Sequence, residues 1–530
     1  MAVNGNSIIQ NGPPVRAVVR RTPRRVIHGP AKMARRGWQI VCAVLLTALL
    51  AVGAGAQETG GVSQTVEKGT VVKGKAPVNP NLLKVRFPKP KSFTLKNGLT
   101  VYVLEDHRLP TVRFRLLMRA GTVFEPKAAV ANMTADMLTE GTQSHDYRQI
   151  AQEAEDMGAT LNAAADTENT TLTASGLSES TDRLIALMAD VLLHPSFPAD
   201  RLDHAKFQQT AQIAQRRTNP VMVTADLSTR IFYGGTAYGH ESPKREEIQA
   251  VTRDDLVSFY NTYYRPNSAL LGVTGDVNAR DLKSKLETAL ADWKPAPQTA
   301  ELPKADLQPK ETTRVYLVDR PGSAQTVLAF GNLAVRQSDP DYIPLVVANR
   351  ILGGGSSGRL FQNIREQKGY TYGAYSNIGA SPWPALWSAS ASVRTPVTEP
   401  AAIEFFREFD RLQDETVSEA ELERAKRSII GGFALTLESP DQILSRTLDL
   451  VQNGLPLDYW DTYPQRIQAV TAADVQRVAR KYLGKNHLQV IAVGERSQIE
   501  AGLKQFGPIE IVDVSQLGGG GGRRRGRGGP

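Results

Sequence analysis

The alternation of apolar and polar residues predicts that regular structure begins near residue 91. Alternating runs on both sides of Asn97-Gly98 indicate a β-hairpin, because Asn-Gly is a typical tight turn between paired strands. The same period of two predicts a strand over 111–119 and a strand pair over 161–165 and 170–175. The first half of the chain is therefore expected to contain a sheet.

Helices are predicted where apolar residues recur every three to four positions. In the first half these segments are 129–138, 147–157, 181–193 and 198–217. Gly158 follows the second of them, as is typical of a helix C-terminus. Strands and helices occur in groups rather than in strict alternation, which favours an α+β architecture over a doubly wound sheet.

A duplication relates the two halves of the chain. Three residues of the first half recur 219 positions later: Thr252, Tyr263 and Gly275 match Thr471, Tyr482 and Gly494. In both copies a helix capped by threonine leads into an apolar strand. A repeat of this length indicates two homologous domains rather than a solenoid. We expect each domain to be an antiparallel sheet packed with helices.

Composition predicts the domain boundaries. The first domain is expected over 91–293 and the second over 313–515, joined by the proline-rich linker 294–312. Residues 57–90 are predicted to form an extended arm, and the Gly- and Arg-rich residues 516–530 a disordered tail.

The net charge of +9 lies at the two ends of the chain. Residues 1–56 carry eight basic and no acidic residues, and the last eight residues carry four arginines. The remaining body has 51 basic and 54 acidic residues, which gives it a net charge of -3. This distribution argues against a nucleic-acid-binding body.

The N-terminal residues have the pattern of an export segment. Basic residues precede the apolar run 38–52, and the Ala-Gly-Ala at 54–56 is typical of a signal-peptidase site. We expect residues 1–56 to be a signal peptide, with Met33 as a candidate true start, and the protein to be periplasmic or otherwise exported. The alternative is that residues 37–56 are not cleaved and anchor this chain in a membrane.

The sequence offers few residues for a metal site. Cys42 is the single cysteine and lies in the export segment, so Cys-ligated metals and thiol catalysis are not expected in the mature chain. No two of the seven histidines are three to five residues apart, whereas zinc hydrolases commonly place two histidines on one helical face. A zinc site of that kind is not expected.

One segment of the second half combines an arginine with a tyrosine. Arg365 lies in the last turn of a Ser-capped helix predicted over 358–368, and Tyr372 lies on the strand expected after the stop at Gly369. A guanidinium and a phenol that converge there would suit binding of a peptide carbonyl or carboxylate and stabilisation of an oxyanion. The alternative is that Arg365 balances the helix dipole and Tyr372 is half-buried in the core.

A glycine run precedes that helix, at Gly353, Gly354 and Gly355. The helix predicted over 341–352 leads into it, whereas a dinucleotide fingerprint or a nucleophile elbow requires a strand there. The run is either a mobile loop that contacts substrate or a plain turn.

In these features the chain resembles the M16 (pitrilysin-like) metallopeptidases, especially the two-domain bacterial members and the subunits of mitochondrial processing peptidase. The matching segments are 95–101, 119–122, 137–142, 158–163, 263–267 and 352–372. The resemblance implies a fold like that of LuxS and mitochondrial processing peptidase over about residues 90–510.

The zinc motif of the family is absent from this sequence. In active members an inverted His-x-x-Glu-His helix lies just before the segment that matches 137–142, and it supplies two zinc ligands and the general base. Asn132, Ala135 and Asp136 occupy those positions here, and the Glu that provides the third ligand has no counterpart. The resemblance therefore implies that this chain binds no cofactor and is inactive alone.

The resemblance implies a non-catalytic, substrate-binding subunit of an exported M16 peptidase. A catalytic M16 chain with the His-x-x-Glu-His motif would supply zinc, while Arg365 and Tyr372 position an extended peptide and stabilise the oxyanion. A nucleic-acid partner is not expected. Two alternatives stay open: a structural or interaction protein of M16 fold, and a metalloendopeptidase with a non-standard site built from Asp136 and another acid.

Overall fold

The computed structural model describes residues 85–517. The predicted export segment 1–56, the arm as far as residue 84 and the tail from residue 518 lie outside the described residues, so those predictions stay predictions. Within residues 85–517, no helix has the length and apolar character needed to cross a bilayer.

The first half of the described chain forms a six-stranded sheet in the order β1-β2-β6-β3-β5-β4. Its strands are β1 (Lys91–Thr94), β2 (Thr100–Glu105), β3 (Thr111–Met118), β4 (Thr160–Ala165), β5 (Thr170–Leu177) and β6 (Ala269–Gly275). Its helices are α1 (Val130–Met137), α2 (Tyr147–Asp156), α3 (Thr181–Leu193), α4 (Ala199–Thr218), α5 (Pro220–Tyr233), α6 (Arg245–Gln249), α7 (Arg253–Tyr263) and α8 (Ala279–Ala289). Neighbouring strands are antiparallel except β2 and β6, which are parallel.

The second half forms another six-stranded sheet, in the order β12-β7-β11-β8-β10-β9. Its strands are β7 (Val315–Asp319), β8 (Gln325–Leu333), β9 (Thr371–Ile378), β10 (Leu386–Arg394), β11 (Gln489–Gly494) and β12 (Ile509–Val512). Its helices are α9 (Tyr342–Leu352), α10 (Thr398–Asp414), α11 (Glu419–Thr436), α12 (Pro440–Gln452), α13 (Tyr463–Ala469), α14 (Ala472–Tyr482) and α15 (Arg496–Leu503), with a π-helix at Phe361–Gln367. Short 3-10 turns occur at Thr122–Phe124, Ser178–Ser180, Pro266–Ser268, Thr395–Val397, Lys504–Phe506 and Val514–Gln516.

The two sheets repeat one topology. The order β2-β6-β3-β5-β4 recurs as β7-β11-β8-β10-β9. The repeated helices α7 and α14 start at equivalent capping boxes, in which Thr252 pairs with Asp255 and Thr471 with Asp474. The duplication and the α+β architecture predicted from the sequence are confirmed.

One face of each sheet packs against helices of its own half. In the first half, Phe114 and Leu116 of β3 lie in one apolar cluster with Met133 and Met137 of α1, and all four are at most 1% exposed. In the second half, the Phe330 ring of β8 lies 4.7 Å from Phe405 and 5.7 Å from Phe409 of α10. These clusters give each half its own core.

The opposite face of the first sheet is partly covered by a helix of the second half. Tyr102 and Leu117 pack against Leu444 and Leu448 of α12. Gly272 on β6 permits this close approach, since a Cβ there would lie 2.6 Å from Leu444 Cδ2. Polar contacts flank the apolar ones: Thr274 Oγ1 donates to Asp441 at 2.7 Å, and Arg115 donates to Ser445 at 3.0 Å.

The second sheet is covered in the reciprocal way by a helix of the first half. Val223, Leu227 and Ile231 of α5 form an apolar cluster with Val327 of β8 and Ile491 of β11. Each half therefore packs one of its helices on the sheet of the other half. Residues 85–517 lie within one compact unit.

Candidate functional site

The positions that match the family's zinc motif lie on α1. Ala135 is fully buried in the protein interior. Asn132 and Asp136, one helical turn apart, face a cavity of about 430 Å³, the α1 cavity. Gln209 and Gln212 of α4 form another wall of this cavity. The fold thus brings α1 and α4 together, with three amides and one carboxylate at these facing positions.

Asp136 opens into the cavity and accepts a hydrogen bond from Gln209 Nε2 at 3.1 Å. Its surface is accessible from the cavity, yet the surrounding protein desolvates the carboxyl, and this desolvation raises the pKa of Asp136. The Gln209 amide opposes the shift by stabilising the carboxylate.

Glu125 is a second carboxyl in the cavity wall, and sequence reasoning missed it. Its Oε2 accepts from the backbone N–H of Ala131 at 3.0 Å, so it caps the start of α1. His240 Nδ1 lies 3.4 Å from Glu125 Oε1, whose side chain is 3% exposed. Burial raises the pKa of Glu125 to about 7 and lowers the pKa of His240. The sequence signal that could have indicated Glu125 is the position of an acidic residue shortly before a predicted helix.

These residues do not fit a zinc ion. Zinc in proteins takes thiolate, imidazole and carboxylate ligands, whereas Asn132, Gln209 and Gln212 offer neutral amides. Across residues 85–517, no group of three or more His, Cys, Asp or Glu side chains could hold a metal ion. The described residues of this chain therefore provide no ligand set on which a metal-dependent step could depend.

Arg365 lies on the π-helix Phe361–Gln367, which replaces the Ser-capped α-helix predicted from the sequence. No side chain caps its first turn, and the backbone N–H of Lys368 donates to Asn363 O, five residues back. π-Helical turns are rare in proteins, and many of those that occur lie at functional sites. The Arg365 guanidinium is half-exposed, lies 5.6 Å from the Phe361 ring and pairs with Glu366 at 2.5 Å.

Tyr372 projects from a β-bulge on the edge strand β9. Val393 of β10 pairs with Thr371 and Ala391 pairs with Ala374, so two residues of β9 oppose one of β10. The extra residue interrupts the alternation of the strand, and bulges of this kind redirect side chains. Tyr372 is 90% exposed, which excludes the alternative that it is half-buried in the core.

Arg365 and Tyr372 share the β9 edge of the second sheet, but no hydrogen bond joins them in the structure. Phe361 and Tyr375 lie in the same region, with ring centroids 5.7 Å apart, and Tyr375 is 47% exposed. The result is an open surface with a guanidinium and two accessible phenols. Sequence reasoning found Arg365 and Tyr372 and missed Tyr375.

Asn363 anchors the π-helix from its buried side. Its Nδ2 donates to Glu404 at 2.9 Å and to Glu408 at 2.7 Å, both on α10. The two carboxylates also contact Arg407 and Arg411 at the surface. This network fixes the turn that carries Arg365.

The glycine run after α9 is closely packed in this structure. Gly353 accepts from the backbone N–H of Ser376 at 2.9 Å, and a Cβ at Gly353 would lie 2.6 Å from that nitrogen. A Cβ at Gly354 or Gly355 would lie within 3.0 Å of Arg350. Packing thus requires glycine at 353 and 354, where a Cβ would meet backbone atoms, whereas at 355 it would meet only the mobile end of Arg350. A substrate contact of these three glycines stays a prediction.

Two protein-family models match this chain. Residues 100–242 match the family model described as insulinase, peptidase family M16, and residues 250–429 match the model described as peptidase M16 inactive domain. The chain belongs to peptidase family M16. Its fold agrees with the M16 fold expected from the sequence.

Relatives of this M16 chain carry different descriptions. A Bacillus subtilis protein described as the uncharacterized zinc protease YmxG is 23% identical over 391 residues, 73% of this chain and 93% of the relative. A Helicobacter pylori protein described as the non-peptidase homolog YmxG is 24% identical over 401 residues, 74% of this chain and 91% of the relative. The crystal structure of a peptidase M16 inactive domain from Pseudomonas fluorescens has a TM-score of 0.70 and 25% identity, and covers 77% of this chain and 98% of that one.

Proposed function

We propose that this protein is the non-catalytic, substrate-binding subunit of an exported M16 peptidase complex. The observation that carries the proposal is the contrast between its two sites. The α1 cavity keeps the M16 framework without residues that fit zinc, while the β9 edge presents Arg365 and Tyr372 to solvent. The description of one relative as a non-peptidase homolog supports the first part.

Arg365 and Tyr372 would act on a peptide that lies along the β9 edge. A guanidinium holds a carbonyl or carboxylate oxygen through several N–H donors, and a phenol donates one further hydrogen bond. Their exposure suits a substrate shared with a second chain, because neither group is engaged by the core of its own half. Aimed at a developing oxyanion, such donors lower the barrier of acyl transfer.

The remaining parts of the proposal rest on the sequence. The partner is a catalytic M16 chain with the His-x-x-Glu-His motif, which supplies zinc. Export of this chain is part of the proposal and is supported by the signal-peptide pattern of residues 1–56.

The test is reconstitution with an exported M16 chain that carries the zinc motif. Peptide hydrolysis and zinc content are measured for each chain alone and for the mixture. We expect this chain to be zinc-free and silent alone and to increase the activity of the mixture. Arg365→Ala and Tyr372→Phe should then lower turnover by about 10- to 1000-fold, as loss of an oxyanion donor does.

Tyr147→Phe is the control, since it removes the same phenol oxygen from a tyrosine on α2 in the first half, outside the β9 edge. Its turnover should stay close to that of the unmodified complex. Stoichiometric zinc and activity in the isolated chain would refute the proposal. Stimulation that is indifferent to both Arg365→Ala and Tyr372→Phe would refute the role of that pair.

A structural M16-fold protein with no peptidase role is the second candidate. The description of the Helicobacter pylori relative as a non-peptidase homolog is the finding that favours it. It predicts no stimulation of any zinc-bearing M16 chain, so the same reconstitution separates the two candidates.

A further inference from the structure

A buried carboxylate contacts both residues of the hydrogen bond that defines the π-helix. The backbone N–H of Lys368 donates to Asn363 O at 3.0 Å, five residues back. The side chains of the same two residues meet at Glu404 of α10. Asn363 Nδ2 donates to Glu404 Oε2 at 2.9 Å, and Lys368 Nζ lies 3.4 Å from Glu404 Oε1. Each carboxylate oxygen of Glu404 therefore contacts one of the two residues.

This pair of contacts fits a π turn and not an α-helix. In an α-helix, residues five apart are rotated by about 140° around the axis, because each residue adds about 100°. Their side chains then lie on different faces of the helix. The hydrogen bond from Lys368 back to Asn363 closes one turn over five residues, so both side chains lie on one face. The two contacts of Glu404 therefore favour the π register.

Glu404 is itself firmly placed. Its side chain is 7% exposed, and the next residue, Phe405, packs against the Phe330 ring of the second sheet. Arg407 Nη1 contacts both carboxylate oxygens of Glu404, at 2.7 and 2.9 Å. Glu408, one turn further along α10, also accepts from Asn363 Nδ2, at 2.7 Å. Helix α10 thus fixes both ends of the π turn to the core of the second half.

The register of the turn decides the direction of the Arg365 side chain. Arg365 lies between the two residues that Glu404 contacts, and its guanidinium lies 5.6 Å from the Phe361 ring. That ring lies 5.7 Å from the Tyr375 ring of β9. A π turn holds one more residue than an α turn, so relaxation to an α-helix would rotate Arg365 by up to about 100° around the axis. The guanidinium would then turn away from the β9 edge.

We propose that Glu404 is a positioning residue for Arg365, which acts by clamping Asn363 and Lys368 in the π register. Without this clamp, Arg365 no longer faces the β9 edge, although Arg365 and Tyr372 are both still present. The effect on peptide hydrolysis rests on the proposed function, whereas the effect on the turn does not. The two effects are therefore measured separately.

The first measurement is hydrogen exchange in the isolated full-length chain. Glu404→Gln keeps the shape of the side chain and removes the charge that holds Lys368. The Lys368 amide should then exchange about fivefold faster, since hydrogen bonds to charged groups are roughly twice as strong as neutral ones. The amides of β11 should exchange at an unchanged rate, which excludes general destabilisation. Equal exchange of Lys368 in Glu404→Gln and in the unmodified chain overturns the proposal.

Asp410→Asn is the matched control. Asp410 also lies on α10 and also lies 3.4 Å from a lysine, Lys485, which is outside the π-helix. This variant removes one carboxylate charge from the same helix without touching the clamp. The Lys368 amide should therefore exchange as in the unmodified chain, and faster exchange equal to that of Glu404→Gln overturns the proposal.

A rescue variant separates the hydrogen bonds of the clamp from the packing of its residues. Asn363→Asp places a carboxylate against Glu404 and Glu408 and should accelerate exchange of the Lys368 amide at least as much as Glu404→Gln does. The triple variant Asn363→Asp/Glu404→Gln/Glu408→Gln exchanges donors and acceptors, so the two new amides donate to the new carboxylate. Its Lys368 amide should exchange within about threefold of the unmodified rate. Exchange as fast as in Asn363→Asp alone overturns the proposal.

The second measurement is peptide hydrolysis by the reconstituted pair with a zinc-bearing M16 chain. Glu404→Gln should lower kcat/KM by about tenfold, since misplacement of a group by about 1 Å can cost about 100-fold. In an Arg365→Ala background the same change should have no further effect, because Glu404 acts only through Arg365. An equal loss in both backgrounds indicates a merely structural role and overturns the positioning role.

Failure of the proposed function gives a different result. A pair that the unmodified chain does not stimulate, or that is indifferent to Arg365→Ala, overturns the role of Glu404 in turnover together with the proposed function. The clamp itself is then supported or overturned by the exchange of the Lys368 amide, which requires no partner chain.

Discussion

Gly272→Ala tests how α12 sits on the first sheet. Gly272 lies on β6 and faces Leu444 and Leu448 of α12. An added methyl group would lie 2.6 Å from Leu444 Cδ2 and 2.9 Å from Leu448 Cδ1, so both side chains would have to shift. Overpacking of this kind costs about 1–3 kcal/mol. Loss of unfolded-state freedom offsets about 0.4–1 kcal/mol, which leaves a net destabilisation of about 0–2.6 kcal/mol.

The assay is urea unfolding, with two further variants to identify the cause. Gly432→Ala is the matched control, since Gly432 lies in α11 and its Cβ would meet nothing within 4 Å. It should stabilise the protein by about 0.5–1 kcal/mol through helix propensity. Leu444→Ala alone should cost about 2–5 kcal/mol, because Leu444 is 4% exposed.

The double variant Gly272→Ala/Leu444→Ala tests whether the destabilisation comes from the contact between the two residues. When Leu444 is already alanine, the closest collision at Gly272 is gone, so the two changes should be non-additive by about 1 kcal/mol or more. If Gly272→Ala stabilised the protein as Gly432→Ala does, or if the two effects simply added, α12 would not be seated on β6 as described.

Three further outcomes follow from the sites. Dialysis against a chelator should leave the urea midpoint of the isolated chain unchanged, because the α1 cavity residues do not fit zinc; a lower midpoint would contradict that conclusion. Asn363→Ala should lower the free energy of unfolding by about 1–3 kcal/mol by removing the amide donor of the buried Glu404 and Glu408. Gln367→Ala, at an exposed position of the same turn, should change it by no more than about 0.5 kcal/mol. Equal changes in urea unfolding would argue against the anchoring role. Glu125 has a folded pKa of about 7, above its ordinary value of 4.5, so its contribution to stability is full below about pH 4.5 and is lost as the pH rises through 7. Urea midpoints at pH 5 and 7.5 should therefore differ less in Glu125→Gln than in the unmodified chain, and an unchanged difference would contradict the assignment.

Local signals in the sequence predicted much of the fold. Thr252 and Thr471 each cap a helix whose apolar residues recur at helical spacing, and the structure starts α7 and α14 at those residues. Helix α3 has the predicted bounds 181–193, because its periodic pattern is interrupted at both ends. In such segments the propensity, the cap and the buried face all favour the same structure.

Helix α5 was missed although its signals were present. Asn219 caps it, Pro220 occupies its first turn, and Val223, Leu227 and Ile231 recur every four residues. The apolar face of α5 packs on the sheet of the other half, so no neighbouring segment of the sequence indicated what would cover it.

The candidate site was predictable at the level of residue type but not of geometry. The exposure of Tyr372 depends on a bulge, and the bulge depends on the pairing of β9 with β10, which no local pattern in β9 contains. The π-helix likewise depends on Asn363 reaching Glu404 and Glu408, more than 40 residues away. Glu125 and His240 meet in the α1 cavity from positions 115 residues apart.

Helices α5 and α12, each of which packs on the sheet of the other half, constrain the order in which the chain can fold. During synthesis, the first sheet emerges with Leu117 and Tyr102 exposed, and these residues stay uncovered until α12 follows more than 300 residues later. Burial of this face of the first sheet therefore cannot be complete before the second half exists. A gene cut in the predicted linker 294–312 would yield two fragments, each with an uncovered apolar sheet face. These fragments should be recovered in soluble form only when produced together.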